Sequence, residues 1–270
     1  MIINLDCLLG MRTCLADNSI DAVVTDPPYG LSKEPDMMEV MKHWMNGDDY
    51  VHTGGGFMGK SWDSFVPGPS IWKEVFRVLK PGGHLLAFFG SRTYDLGTLT
   101  IRLAGFEIRD QIMWVYGSGF PKSLNVSKAI DKAAGAEREI LGRAKGAGSK
   151  DLDSFGNGHN SEYDLTAPAT DEAKQWSGWG TALKPAHEPI CVARKPLSGT
   201  VAENVLMHST GALNIDGCRI EGRERTDYGL TNSSRSQGST FSTPSQSADF
   251  DSSKGRWPAN FVHDGLNGEE

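Results

Sequence analysis

Apolar and polar residues along the chain form short runs whose spacing alternates between helix-like and strand-like. Ile71, Val75, Val78 and Leu79 share one stripe, which predicts an amphipathic helix over 70–83 that is stopped by its final Pro-Gly-Gly. The predicted elements, in chain order, are a strand at 1–6, a helix at 7–19, a strand at 20–26, the helix at 70–83, a strand at 84–90, a helix at 92–105, and strands at 106–117 and 187–196. This alternation is typical of an α/β fold built on a parallel sheet.

Three stretches lack this periodicity. Residues 31–70 carry glycine and proline clusters and are predicted to be loop. Residues 118–180 hold one short predicted helix in an otherwise Gly/Ser/Asp-rich sequence, and we interpret them as a loop-rich insertion. Nine serines between 233 and 253 predict a flexible segment over 226–254. The strand at 20–26 is apolar enough to be buried on both faces of a sheet.

Composition narrows the class of protein. The longest apolar runs are strand-sized, so no membrane span or signal peptide is expected. The four cysteines form no CxxC pair and the seven histidines lack metal-ligand spacing, which indicates a reduced, cytoplasmic protein without a metal site.

Charge is uneven along a chain whose net charge is −7. Residues 121–150 carry seven Lys or Arg against three Asp or Glu. A run of this kind is more often a solvated helix face than a binding surface. It can also hold phosphates, because screening limits the reach of each charge to about 10 Å. Lys122 and Lys128 are the candidates for such a phosphate contact.

The stretch Asp26-Pro27-Pro28-Tyr29 follows the strand at 20–26 and cannot continue it, because two prolines fix φ and remove two backbone donors. Ligands bind at the carboxyl ends of strands in an open α/β sheet. A carboxylate and a rigid backbone carbonyl can accept both protons of an exocyclic base amine, and an aromatic ring can stack on a base flipped from the duplex. By itself the motif is as readily a structural turn, with the aspartate capping and the tyrosine packing.

With its neighbours, the motif resembles the catalytic motif of the amino-group DNA methyltransferases, which methylate N6 of adenine or N4 of cytosine from S-adenosyl-L-methionine. The run "INLDCLLGMRTCLADNSIDAVVTDPPYG" and the later "VFRVLKPGGHLLAFFGSRT", "GFEIRDQIMWVYGSGFPKS" and "HEPICVARKP" are similar to members of the permuted, β-type order, and to phage and prophage enzymes in particular.

The resemblance implies a Rossmann-like methyltransferase fold, permuted, with double-stranded DNA as partner. Asp26, Pro27, Pro28 and Tyr29 would be catalytic. Asp6 would bind the adenine of the cofactor, although a helix cap is a serious alternative for this residue. Trp62 and Asp63, in "FMGKSWD", would line the target-base pocket.

One part of the family pattern is not found. The glycine-rich cofactor loop (D-x-F-x-G-x-G), expected late in the permuted order, does not occur in the 270 residues. We therefore expect residues 1–270 to form a catalytic domain incomplete at its C-terminus. A further segment, a homodimer partner or a separate chain would then complete the cofactor site, or the chain would be a non-catalytic DNA-binding remnant.

Several other functions stay open at this point. Gly54–Ser61 fits the phosphate-loop pattern G-x-x-x-x-G-K-S, but polar residues precede it and Pro67 and Pro69 follow it, which does not suit a nucleotide hydrolase. RNA or a protein glutamine are remote substrates. The expected activity is methylation of N6 of adenine in DNA, with N4 of cytosine as the alternative because the same acceptor pair serves either amine.

Overall fold

The computed structural model describes residues 2–30, 32–55, 61–117, 119, 123–145, 162–220 and 255–263. The chain divides into two compact units, and the second is inserted into the first. Unit 1 comprises Met1–Tyr116 and His187–Glu270, and unit 2 comprises Gly117–Ala186. The predicted flexible segment at 226–254 lies outside the described residues.

Helices and strands alternate through most of the described chain. The helices are α1 (Cys7–Cys14), α2 (Met37–Met45), α3 (Pro69–Val78), α4 (Tyr94–Leu103), α5 (Val126–Ala133), α6 (Asp171–Gln175) and α7 (Val201–His208). The strands are β1 (Ile20–Thr25), β2 (Leu79–Phe88), β3 (Glu107–Val115), β4 (Ile140–Lys145), β5 (Glu162–Thr166), β6 (His187–Arg194) and β7 (Phe261–His263).

Unit 1 is built on a mixed sheet in which the described strands follow the order β1-β2-β6-β3-β7. Strand β1 pairs in parallel with β2, and β3 pairs in parallel with β7. Strand β6 lies between β2 and β3 and is antiparallel to both, so β2 and β3 run in the same direction. The α/β, Rossmann-like class predicted from the sequence is confirmed, whereas the purely parallel sheet is wrong because β6 is reversed.

The core of unit 1 lies between this sheet and the helices α3 and α4. Proline at the first position of α3 suits a helix start, where no backbone donor is needed. Its buried stripe packs against apolar residues of β2, α4 and β6 in one cluster: Trp72, Val75, Leu79, Leu85, Ala87, Phe89, Ile101, Phe106, Cys191 and Ala193. A second cluster joins α2 to the start of α4: Val40, Trp44, Phe65, Val66 and Leu96.

Four further predictions for unit 1 are wrong. The helix predicted over 70–83 ends at Val78, and the Pro-Gly-Gly that was expected to stop it lies within β2. Residues 2–6 form no strand and lead directly into α1. The stretch 31–70 contains α2, whose buried Val40 and Trp44 are four residues apart, a helical spacing that the glycine and proline clusters obscured. Strand β1 is not buried on both faces: it ends the described sheet, and Val24 is 69% exposed.

Unit 2 contains α5, α6 and the antiparallel pair β4–β5. The buried carboxylate of Asp131 on α5 connects these pieces. It pairs with Arg138 and accepts hydrogen bonds from the backbone of Ala169 and Thr170. Burial works against ionisation here, but these donors prevail and lower the pKa of Asp131 to about 2.

Candidate active site

The carboxyl ends of the parallel strands and the amino end of β6 meet at one edge of the sheet in unit 1. Asp26 follows the last residue of β1, and its side chain is exposed. Phe89 and Gly90 follow β2, with the Phe89 N–H donating to the Pro189 carbonyl at 3.0 Å. In the register of β3 with β6, Trp114 lies opposite Glu188. This edge therefore gathers side chains from distant parts of the sequence.

A buried carboxylate anchors the backbone of the loop Asp26–Gly30. Asp63, in a short 3-10 helix at Ser61–Asp63, accepts from the backbone N–H of Tyr29 at 3.0 Å and of Gly30 at 3.3 Å through the same oxygen. Gly30 has φ +68°, a left-handed conformation in which a side chain is disfavoured. The two prolines and this anchor restrict the backbone of the loop that carries the Asp26 carboxylate and the Pro27 carbonyl.

Tyr29 is held by hydrogen bonds of its backbone carbonyl and its hydroxyl, and its ring lies beside Gly90. Its carbonyl accepts from the Thr93 hydroxyl at 2.7 Å. Gly90 lies beside the ring, since a Cβ built there would be in van der Waals contact with the ring carbon Cδ2, at 3.4 Å. The hydroxyl donates to Oε2 of Glu188 at 2.9 Å. A half-buried aromatic ring therefore stands beside an exposed carboxylate.

The surroundings keep the tyrosine hydroxyls of this edge protonated. Burial, the hydrogen bond to Glu188 and the nearby Asp26 carboxylate together raise the pKa of Tyr29 well above its usual range. Burial and Glu188 also raise the pKa of Tyr116, just after β3. Both phenols are thus donors at neutral pH, and Glu188 accepts.

Asp6, the residue predicted to bind the cofactor's adenine, is the N-cap of α1. Its Oδ1 accepts from the Leu9 N–H at 3.0 Å, so the alternative role as a helix cap is confirmed. The side chain is exposed, which leaves its second oxygen accessible to a ligand. One carboxylate oxygen suits a single hydrogen bond to an adenine amine. Its role toward a cofactor stays a prediction.

The residues predicted for the target-base pocket behave differently from each other. Trp62 is 68% exposed, as a ring available for contact would be. Asp63 is 6% exposed and its Oδ1 is engaged by the loop backbone, an arrangement that fits support of Tyr29. Sequence reasoning missed Glu188, Thr93 and Gly30, although a glycine directly after the tyrosine was a visible signal.

The candidates for DNA contact and the phosphate-loop match remain. Lys122 falls outside the described residues. Lys128 is exposed on α5 of unit 2, where it lines a groove of about 560 Å³ together with Leu124 and Lys132. The phosphate-loop match falls largely outside the described residues, and the part described around it, 51–55 and 61–68, holds neither a strand nor the long helix that such a loop requires.

The part of the chain that the structure describes offers neither a metal site nor a membrane helix. Within the described ranges, no three His, Cys, Asp or Glu side chains are grouped so that they could hold a metal ion. None of the described helices combines the length and the apolar character needed to cross a membrane.

Comparison with known proteins gives a family match. The family model of the N6/N4 DNA methylases, described as DNA methylase, matches residues 20–210, more than two thirds of the chain. The type II methyltransferase M.HpaI of Haemophilus parainfluenzae is 30% identical over 120 residues, which cover 43% of this chain and 32% of that protein. The chain thus corresponds to about a third of the length of this curated relative.

Among solved structures, M1.HpyAVI is 13% identical, with a TM-score of 0.34 over 73% of this chain and 55% of that one. A protein from Thermus thermophilus in complex with S-adenosyl-L-methionine is 16% identical, with a TM-score of 0.33 over 74% of this chain and 56% of that one. In both comparisons the chain spans little more than half of the solved structure.

Proposed function

Because the chain belongs to the family of N6/N4 DNA methylases, we propose that it is part of an S-adenosyl-L-methionine-dependent enzyme that methylates a base amine in double-stranded DNA. The preferred target is N6 of adenine. The observation that carries the proposal is the exposed Asp26 carboxylate in a proline-stiffened loop beside the half-buried Tyr29 ring.

In this proposal each residue of the loop has one task. The Asp26 carboxylate and the Pro27 carbonyl accept the two protons of the amine, which directs the nitrogen lone pair away from the ring system. Pro28 fixes the loop, and the Tyr29 ring stacks on the base once it leaves the duplex. With the cofactor bound, the amine nitrogen would form a bond to the methyl carbon while the bond between that carbon and the cofactor sulfur broke, its electron pair staying on sulfur. The nitrogen would then lose one proton to Asp26 or to water.

The cofactor supplies the methyl group when it is bound. Among the residues of this chain, Asp6 is proposed to hold its adenine through the carboxylate oxygen that is not engaged by Leu9. Trp62 is proposed to contact the flipped base, and Lys128 to contact the DNA backbone. A neutral phenol on Tyr29 suits stacking, since a phenolate would repel the phosphates of the approaching strand.

The test is methyl transfer from tritiated S-adenosyl-L-methionine to unmethylated DNA, followed by mass spectrometry of the nucleosides. We expect N6-methyladenine; N4-methylcytosine would support the alternative target. The variant Asp26→Ala should reduce transfer by at least about a hundredfold without loss of folding. Asp48→Ala, which removes another exposed loop carboxylate of unit 1, is the control. Activity retained in Asp26→Ala would refute the proposal.

Calorimetry of S-adenosyl-L-methionine binding, with and without DNA, separates two further possibilities. Binding by this chain alone would support a cofactor site formed from its own residues. DNA binding without any cofactor binding would instead favour the non-catalytic alternative.

A further inference from the structure

Glu188 is the second residue of β6, and the reversed direction of this strand carries it to the candidate active site. Had β6 run parallel to its neighbours, its amino end would lie at the opposite edge of the sheet. In the observed register Glu188 lies opposite Trp114, next to the end of β2. The sequence separation between Glu188 and Tyr29 is 159 residues, so no local pattern joins them.

The Tyr29 hydroxyl has one proton to donate, and two carboxylates lie near it. It donates this proton to Glu188 at 2.9 Å. The Asp26 carboxylate is a second, weaker acceptor for the same hydroxyl and also favours its protonated form. Since a phenol donates one hydrogen bond at a time, the bond to Glu188 competes with Asp26 for this proton. Tyr116, whose hydroxyl is also influenced by Glu188, is a further titratable group at this carboxylate.

An acceptor that is already engaged by a tyrosine is a weaker acceptor for a substrate amine. If the Glu188 carboxylate were removed, the Tyr29 hydroxyl would turn to Asp26, the remaining carboxylate at hand. This new hydrogen bond would occupy a lone pair of Asp26 that the proposed reaction requires, and the Tyr29 ring would lose its fixed orientation. Both effects follow from one lost hydrogen bond.

We propose that Glu188 is a positioning residue that accepts the Tyr29 proton and thereby keeps Asp26 free to accept from the target amine. This inference rests on the proposed function, in which Asp26 is the amine acceptor. Glu188 does not contact the substrate in this proposal; it acts through Tyr29.

The test is a double-mutant cycle of Glu188→Met with Tyr29→Phe. Methionine keeps the length of the side chain but offers no comparable acceptor, and phenylalanine keeps the ring without the proton. We expect Glu188→Met to reduce kcat by about tenfold or more and Tyr29→Phe by about threefold. The double variant should be faster than Glu188→Met alone, because no hydroxyl remains to occupy Asp26. Glu188→Gln, which keeps an acceptor oxygen, should restore most of the activity.

A role for Glu188 in packing alone predicts a different result. The double variant would then be as slow as Glu188→Met or slower, and this outcome would overturn the inference while leaving the proposed function intact. If the unmodified chain methylated no base at all, this result would instead count against the proposed function.

A second readout does not depend on activity. The Asp26 carboxyl signal is followed at neutral pH by NMR of carboxyl-labelled aspartate, with Asp26→Asn to assign the signal. Replacing Glu188 removes a negative charge whether or not the tyrosine hydroxyl is present, which changes the Asp26 signal. With Tyr29 in place, the new hydrogen bond should make this change larger. An equal change in the unmodified chain and in the Tyr29→Phe variant would overturn the inference; Glu188→Ala replaces the methionine variant if the latter does not fold.

Discussion

Gly30 offers a sharp test of the view that the Asp26–Gly30 loop is held in one conformation. The residue has φ +68°, and its N–H donates to Asp63 at 3.3 Å. A Cβ added there would lie 2.9 Å from the backbone nitrogen of Val66 and 3.1 Å from Cα of Phe65. Neither neighbour is the end of a flexible side chain. Gly30→Ala therefore demands both an unfavourable backbone and a displacement of the segment that carries Asp63.

The magnitude follows from these two contributions. A left-handed backbone costs an alanine about 1–2 kcal/mol. Forcing a methyl group into closely packed backbone costs about 1–3 kcal/mol more. The loss of unfolded-state entropy relative to glycine returns about 0.4–1 kcal/mol. We expect the free energy of unfolding to fall by about 1–5 kcal/mol, with about 3 kcal/mol as the middle of the range, a large fraction of the roughly 5–15 kcal/mol typical of a domain.

The assay is urea unfolding at 25 °C followed by tryptophan fluorescence, together with methyl transfer. Gly47→Ala is the matched control in the same unit, because Gly47 has φ +83° and its added Cβ would meet only the Nζ of Lys73, at 3.3 Å. It should lose about 0–1.6 kcal/mol, the backbone contribution less the same entropy return, and keep its activity.

A fall in the free energy of unfolding no larger in Gly30→Ala than in Gly47→Ala would refute the close contact with Val66 and Phe65. Full methyl transfer by a folded Gly30→Ala variant would refute the idea that the loop must be held in place.

Two further predictions concern unit 2. The pKa of Asp131 is lowered from 3.8 to about 2, so its contribution to stability is present above pH 3.8 and is lost as the pH falls through about 2. Urea unfolding from pH 7 to 2 should show this loss. Asp131→Asn should be less stable at pH 7 and should lack that part of the pH dependence. Lys128→Glu should make the negative slope of log K for DNA binding against log salt shallower by about 1. Lys42→Glu on α2 should leave this slope unchanged. Equal slopes in both variants would contradict a DNA contact at Lys128.

Local chemistry made most of the helices and strands predictable. The stripe of α3 was readable from spacing, and the strand before Asp26 from its apolar run. The same reasoning missed α2, because glycine and proline clusters on either side outweighed an N-cap at Asp36 and the Val40–Trp44 pair. It placed a strand at 1–6, yet a strand needs a neighbour to bond, and the described residues 2–6 form no ladder.

For the candidate site, the sequence alone determined the chemistry of the Asp-Pro-Pro-Tyr loop and its place after a strand, since proline stiffness and strand ends are local properties. Tertiary structure alone decided what surrounds Tyr29. Asp63 is 34 residues from the backbone it anchors, and Glu188 reaches the hydroxyl only because β6 is inserted antiparallel between β2 and β3. Such contacts depend on strand order and direction, which arise from the packing of the whole sheet.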